Sequence, residues 1–165
     1  MKIGLLSDTH GILTDDMLAY FKNCDEIWHA GDIGNQEVID KMQAFKPVRA
    51  VYGNIDDTSI RTQFAEEAIF TCNGLKVYII HIGGYPPKYT SKLKKRLAEI
   101  APGLFICGHS HILKVMADKE RNLLHMNPGA AGNHGFHKMR TMLRFDVIEG
   151  AVKNLELIEL GKRGK

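Results

Sequence analysis

Five apolar segments of this chain each end in side chains that could bind a metal ion. In chain order these side chains are Asp8 and His10, Asp32, Asn54, His81, and His109 with His111. One polar residue at the end of a strand is common, but five independent coincidences are hard to explain. Clustered carboxylates and imidazoles would remain unsatisfied in a buried site without a compensating charge. The pattern therefore predicts a metal centre, which would supply the positive charge.

The ligand types limit the choice of metal. Imidazole, carboxylate and amide groups without a thiolate suit Mn, Fe, Zn, Co or Ni, and of these we expect manganese first. Closed structural zinc sites usually use cysteine. Seven ligands are too many for one transition ion and fit two divalent ions that share a carboxylate, roughly 3.5–4 Å apart. We take Asp32 as the bridge because a carboxylate has two oxygens, and His29 as a residue that orients the Asp32 turn by hydrogen bonding.

Alternating strands and helices in the first half of the chain would position these residues. Residues 2–7, 25–31 and 48–53 read as buried strands. Thr14 opens one intervening helix, and residues 35–45 form another with apolar residues at helical spacing. This order indicates a parallel sheet with right-handed crossovers. Sites in such sheets form outside the carboxyl ends of the strands, which is where the metal-binding residues fall.

In the second half of the chain, the regular alternation of strands and helices ends. Residues 67–81 read as two strands joined by Asn73-Gly74, a strong hairpin signal, and residues 90–101 read as a helix. Residues 103–108 and the final third read as further short strands. We therefore predict an α/β fold in which two mixed β-sheets pack as a sandwich flanked by helices. We expect residues 1–165 to form one domain, and the pattern leaves the strand order open.

The composition favours no other class of protein. The chain is 44% hydrophobic and 25% charged, with a net charge of +3, which gives no strong signal for nucleic acid or membrane surfaces. No segment approaches the roughly 20 apolar residues that span a bilayer. Cys24, Cys72 and Cys107 lack the spacing of a metal motif or a disulfide framework and are expected as buried thiols. A cytoplasmic location is the expected setting.

Several short motifs resemble those of a known family. "DTH" (8–10), "GD" (31–32), "GN" (53–54), the strand-ending His81 and "GHSH" (108–111) resemble the calcineurin-like metallophosphoesterases. The short length and "NPG" at 127–129 resemble the small bacterial and archaeal phosphodiesterases within that superfamily. The resemblance implies a two-sheet sandwich, hydrolysis of a small phosphate-ester substrate and a homo-oligomer as one possible assembly.

The resemblance also implies a role for each matching residue. The first ion would be held by Asp8, His10, Asp32 and His111. The second would be held by Asp32, Asn54, His81 and His109. Asp32, Asn54 and His81 are in addition the implied catalytic residues, because a hydroxide between the metals would attack phosphorus. The implied substrate contacts are Asn127 and the Gly129 backbone.

Two departures from the family pattern bear on activity. Ile55 stands where many relatives have a histidine that assists the leaving group, so we expect a modest enzyme that prefers acidic leaving groups. Ala130 replaces a serine that is common in the phosphodiesterase group. The loop 132–140 carries Arg140 as a further candidate substrate contact, with a solvated loop or an oligomer contact as the alternative.

Other functions stay open at the level of sequence. A phosphomonoesterase or a nucleotide hydrolase would use the same metal centre, with extra cationic residues for the more highly charged substrate. A non-catalytic protein-binding scaffold is the third hypothesis, because the superfamily includes a eukaryotic membrane-coat subunit on this fold. That subunit has a degraded metal pocket, whereas all seven ligand positions here hold side chains able to bind metal.

Overall fold

Two five-stranded sheets form the centre of the computed structural model, which describes residues 1–164. The strands are β1 (Lys2–Leu6), β2 (Glu26–His29), β3 (Val48–Ala50), β4 (Glu67–Cys72), β5 (Leu75–Ile80), β6 (Leu104–Ile106), β7 (Leu113–Asp118), β8 (Leu123–Pro128), β9 (Met139–Ile148) and β10 (Ala151–Lys162). The helices are α1 (Asp15–Ala19), α2 (Gln36–Phe45), α3 (Thr58–Arg61) and α4 (Ser91–Ile100). This arrangement confirms the predicted sandwich of two mixed sheets flanked by helices.

Both sheets are mixed: the first has an antiparallel pair at one edge and a parallel pair at the other, and the second has a parallel centre with antiparallel edges. The first sheet has the order β10-β9-β1-β2-β3, and the second has the order β4-β5-β6-β8-β7. In the first sheet β1 pairs with β2, and β2 with β3, in parallel, as the two crossover helices α1 and α2 require. In the second sheet β5 and β6 are parallel neighbours. The carboxyl ends of β1, β2 and β3, and those of β5 and β6, therefore lie side by side.

The helices begin where the sequence signals predict. The side chains of Thr14, Asn35 and Thr90 accept a hydrogen bond from the first turn of α1, α2 and α4, respectively. Helix α1 ends at Ala19, after only five residues. Beyond it the backbone N–H groups bond to carbonyls three residues earlier, in tighter turns that lead directly into β2.

The main core lies between the two sheets. Trp28 is fully buried there, with its ring edge-on to Phe70 and Phe145, and its Nε1 donates to Glu26 Oε2 at 2.8 Å. Further apolar clusters join the first sheet to α1 and α2 and the second sheet to α4. Burying each large apolar side chain stabilises the fold by about 1.5–3 kcal/mol. The three cysteines are free and buried, as expected.

The helices of residues 1–164 include no segment with the length and apolar character needed to cross a bilayer.

Candidate metal centre

Backbone hydrogen bonds draw the strand ends together. His10 N donates to Asp32 O at 3.0 Å, which fastens the loop after β1 to the loop after β2. Gly108 N donates to His81 O at 2.9 Å and fastens the ends of β5 and β6 in the same way. The two sheets are then linked by His109 N, which donates to Asp8 Oδ2 at 3.1 Å. The seven predicted metal ligands consequently lie at one edge of the sandwich.

Five of these seven residues have a left-handed backbone conformation. Their φ angles are 54° for Asp8, 46° for His10, 55° for Asp32, 66° for His109 and 58° for His111. Residues other than glycine seldom adopt this region, and strained conformations of this kind cost about 1–3 kcal/mol each. Such strain concentrates at functional sites, where the surrounding structure holds side chains in a required geometry.

The first cluster contains Asp8, His10 and His111, whose ligand atoms lie within 4.8 Å of one another. Asp8 Oδ1 is 3.1 Å from His111 Nε2 and 3.9 Å from His10 Nε2. Asp8 Oδ1 and His10 Nε2 are buried and make no hydrogen bond with any described residue. Unsatisfied buried polar atoms are costly, so two of them facing each other fit a site built to hold a cation.

The second cluster contains Asp32, His81 and His109, again within 4.8 Å, with Asn54 beside it. His81 Nδ1 lies 2.8 Å from Ala30 O, and a carbonyl can only accept, so Nδ1 carries the proton. His81 Nε2 then faces Asp32 Oδ1 at 3.2 Å and Asn54 Oδ1 at 3.1 Å. Neutral Nε2 and both oxygens are acceptors. Asp32 Oδ1 also accepts from Ile55 N at 3.1 Å, but no donor of the described residues lies between the three acceptors, which fits a site for a cation.

The pKa shifts of His81 and Asp32 agree with a site for a cation. Burial alone would lower the pKa of His81, but hydrogen bonding to Asp32 and the charges of Asp8 and Asp32 raise it above its usual value. Burial opposes ionisation of Asp32, but the His81 side chain holds the pKa of that carboxyl below its usual range. A proton can thus bind between His81 Nε2 and Asp32 Oδ1, at the position that would suit a metal ion.

Asp32 lies between the two clusters. Its Oδ1 faces His81 Nε2 at 3.2 Å, and its Oδ2 faces His10 Nε2 at 3.6 Å. One oxygen is therefore directed to each cluster. Gly53 makes this placement possible, because a Cβ at that position would lie 2.0 Å from Asp32 Oδ1.

His29 lies behind the Asp32 turn. Its Nδ1 accepts a hydrogen bond from Gly31 N at 3.1 Å, and its Nε2 bonds to Thr9 Oγ1 at 3.0 Å. Thr9 Oγ1 itself donates to Ile33 O, so His29 Nε2 must be the donor to Thr9 and the ring is neutral. Complete burial lowers the pKa of His29 to about 4. Its predicted positioning role is compatible with these bonds and stays a prediction.

The sequence reasoning missed Asp56, a buried carboxylate that supports two ligand turns. Its oxygens accept from Gly53 N at 2.7 Å, Gly34 N at 2.8 Å and Ile33 N at 3.2 Å. The loop that carries Asp32 is thereby tied to the loop that carries Asn54. The acidic pair directly after "GNI" is the signal in the sequence, but such a pair normally indicates only a solvated loop.

The three predicted substrate contacts are engaged in internal hydrogen bonds. Asn127 Nδ2 donates to Gly108 O at 2.9 Å and to Ser110 Oγ at 3.1 Å, and Asn127 Oδ1 accepts from Gly129 N at 3.0 Å. Arg140 is buried, and its Nε donates to Ala131 O at 2.8 Å. Contact of these residues with substrate stays a prediction.

The predicted loop 132–140, whose last two residues belong to β9, forms a wall of the centre. The His134 ring lies 4.8 Å from the His10 ring, and the His137 ring lies 5.2 Å from the His111 ring. His137 is held by a bond between its Nε2 and Gly132 O at 3.0 Å. The loop therefore packs against the first cluster, with its two histidines next to two predicted ligands.

Comparisons with known proteins identify the family of this chain. The model of the calcineurin-like phosphoesterase superfamily domain matches residues 1–150. A probable metallophosphoesterase of Methanocaldococcus jannaschii is 32% identical over 137 residues, which make up 79% of this chain and 68% of that protein.

Solved structures share the fold. A structure described as a novel archaeal phosphodiesterase aligns with a TM-score of 0.76 at 22% identity, over 97% of this chain and 100% of its own. Vps29 from Entamoeba histolytica, in complex with zinc, aligns with a TM-score of 0.74 at 16% identity, over 96% of this chain and 99% of its own. The match along residues 1–150, together with the metallophosphoesterase relative, establishes that the chain belongs to the calcineurin-like phosphoesterase superfamily.

Proposed function

We propose that this protein is a metal-dependent phosphodiesterase with a dinuclear centre. The observation that carries the proposal is the pair of ligand clusters with Asp32 between them, one carboxylate oxygen directed to each. Membership of the superfamily supports phosphoesterase chemistry in general. The archaeal phosphodiesterase of similar fold supports the choice of a diester.

The proposed ligand sets follow the two clusters. Asp8, His10, Asp32 and His111 would hold one divalent ion. Asp32, Asn54, His81 and His109 would hold the other. The two ions, manganese in our proposal, would lower the pKa of a water molecule and neutralise negative charge on the phosphate oxygens. In the reaction the oxygen of water joins phosphorus, the ester P–O bond breaks, and an alcohol and a phosphate monoester are released.

The residues of this chain contribute by binding and orientation. The Ala30 carbonyl fixes the tautomer of His81 that leaves Nε2 free for a cation. Ser7 Oγ and His109 N donate to Asp8 Oδ2, which turns Oδ1 toward the first cluster. Catalysis in this arrangement depends mainly on positioned positive charge, because Ile55 cannot protonate a leaving group.

The surroundings of the first cluster favour diesters over monoesters. A monoester carries an additional negative charge and benefits from extra cations near the phosphate. Arg140, the one arginine of the loop 132–140, is directed away into the protein, where it bonds to Ala131 O and contacts Met17 Sδ at 3.3 Å. The loop therefore offers histidines, and not a guanidinium, beside the first cluster.

A protein-binding scaffold is a second candidate, favoured by one observation. Ile82 and Ile112 directly follow predicted metal ligands and are 57% and 56% exposed, and Phe136 of the neighbouring loop is fully exposed. Exposed apolar side chains around a site are typical of interaction surfaces. Vps29 shares the fold.

Turnover separates the two candidates. Hydrolysis of bis(p-nitrophenyl) phosphate and of p-nitrophenyl phosphate is measured with Mn²⁺, Fe²⁺, Zn²⁺, Ni²⁺ or Co²⁺ added to metal-free protein. We expect turnover of the diester that exceeds that of the monoester. Asp32→Asn abolishes turnover, whereas Asp16→Asn, the same change at an exposed position of α1, leaves it intact. Folded protein without turnover of either ester with any of the five ions would favour the scaffold.

A further inference from the structure

A cavity of about 720 Å³ opens beside the second ligand cluster. Asn54, His81 and Ile82 line one end, and the side chains of Lys92 and Lys95 on α4 line its wall. Its volume lies in the range of about 300–1,000 Å³ that is typical of small-molecule sites. Because it shares Asn54 and His81 with the second cluster, a molecule bound between the clusters could extend into it.

The charges that line the cavity are unevenly compensated. Arg96 forms salt bridges with Glu67 and with Glu99, at 3.5 Å for the latter, so one positive charge is shared by two carboxylates. The remaining charged lining residues are Arg61, Lys92, Lys95 and Glu66. Over the whole lining, four positive charges face three negative charges, and the lysine side chains of Lys92 and Lys95 form none of these salt bridges. An anionic group is the complementary occupant.

Arg61 makes the wall next to Asn54 rigid. Its Nε donates to Asp56 O at 2.7 Å, a terminal nitrogen donates to Asn54 O at 3.2 Å, and the guanidinium lies 4.7 Å from the centroid of the Tyr52 ring. The segment between β3 and α3 contributes to both the cavity and the second cluster, and these bonds hold it in place. A preformed wall lowers the entropic cost of binding.

We propose that this cavity binds one ester substituent of the phosphodiester substrate, and that this substituent carries a second phosphate group. The inference rests on the phosphodiesterase function proposed above and adds the substrate class to it. A diester held between the clusters has two substituents, and the cavity at Asn54 and His81 can take one of them. Lys92 and Lys95, both exposed on α4, would bind its distal phosphate.

Two substrates that differ only in the distal phosphate test the proposal. Thymidine 5′-(p-nitrophenyl phosphate) and its 3′-phosphorylated form release the same p-nitrophenolate from the same diester. We expect the 3′-phosphate to raise kcat/KM about three- to tenfold, as partly exposed charge-assisted contacts do. A 3′-phosphate that leaves kcat/KM unchanged or lowers it would overturn the proposal.

Charge-reversal variants on α4 test whether Lys92 and Lys95 bind the distal phosphate. Lys95→Glu and Lys92→Glu each remove most of the gain from the 3′-phosphate, measured as the ratio of the two kcat/KM values. Lys94→Glu is the matched control, because Lys94 is exposed on the same helix but does not line the cavity. An equal loss of that ratio in Lys94→Glu would show a general charge effect and would contradict the assignment.

Binding gives a readout that does not depend on turnover. Isothermal titration calorimetry of the manganese-loaded protein compares thymidine 3′,5′-bisphosphate with thymidine 5′-phosphate. The bisphosphate is expected to bind about three- to tenfold more tightly, with the difference reduced in Lys95→Glu. Equal affinities would overturn the cavity assignment even if bis(p-nitrophenyl) phosphate is hydrolysed. A preference for the bisphosphate without any hydrolysis would instead contradict the proposed enzymatic function alone.

Discussion

Asn127 holds the turn that carries two predicted metal ligands, and its replacement by leucine tests that role. The side chain joins Gly108 O, Ser110 Oγ and Gly129 N through bonds of 2.9, 3.1 and 3.0 Å. Asn127 is 2% exposed, so water cannot replace these partners. Leucine has a similar volume, and the change therefore removes the hydrogen bonds without opening a large cavity.

The expected loss of stability follows from these bonds. Each buried hydrogen bond contributes about 1 kcal/mol, and an unsatisfied N–H such as that of Gly129 costs about 1–3 kcal/mol. Gly108 O keeps a partner, since it also accepts from Ser110 N at 2.8 Å. We therefore expect Asn127→Leu to lower the free energy of unfolding by about 3 kcal/mol.

Urea unfolding followed by circular dichroism measures this loss. Asn23→Leu, the same change at an exposed position, is the control and should stay within about 0.5 kcal/mol of the original protein. Because His109 and His111 flank the turn, metal affinity should fall about 10- to 100-fold in Asn127→Leu. A variant that retains both its stability and its metal affinity would refute the positioning role of Asn127.

Three further perturbations probe other parts of the structure. Burial lowers the pKa of His125 to about 4 from an unperturbed 6.5, so the free energy of unfolding should fall by roughly 3 kcal/mol as the pH drops from 6.5 to about 4. Unfolding measured at several pH values should show a weaker pH dependence in His125→Gln. An unchanged pH dependence in that variant would contradict the role of His125. Gly53→Ala puts a Cβ 2.0 Å from Asp32 Oδ1 and should weaken metal binding at least about tenfold, measured by calorimetry, whereas Gly103→Ala should leave it unchanged; equal affinities in the two variants would count against the tight placement of Asp32. Ile55→His should raise the rate for alkyl esters relative to aryl esters, up to about 100-fold if the imidazole protonates the leaving group, and a constant ratio across a leaving-group series would argue against that explanation.

The local part of the fold could be predicted from the sequence. Apolar runs that end in polar residues predict β1, β2 and β3, and Asn73-Gly74 predicts the hairpin of β4 and β5. The ligand turns follow from the same signals, because each ligand lies just after a strand. Their convergence could be inferred since parallel strands end at the same edge of a sheet.

The pairing of strands that are distant in sequence could not be predicted. Strand β9 pairs with β1 across most of the chain, and β8 inserts between β6 and β7. Such pairings depend on how complete faces pack and leave no local pattern. Helix α3 is too short to show a helical period.

The contacts of Asp56 and the cavity at α4 could not be predicted from the sequence either. Asp56 looks like one residue of a polar loop until its oxygens are found on three backbone N–H groups. The cavity at α4 exists only because that helix packs beside the segment after β3. Both features arise from segments that are distant in sequence.

Metal stoichiometry tests the central claim most directly. Metal-free protein is titrated with Mn²⁺, and the bound ion is counted by elemental analysis after removal of the excess. The two clusters around Asp32 predict two ions per chain, and Asp32→Asn should weaken the binding of both because one side chain is directed to each. Binding of no ion, or of two ions with affinities that Asp32→Asn leaves unchanged, would contradict the account.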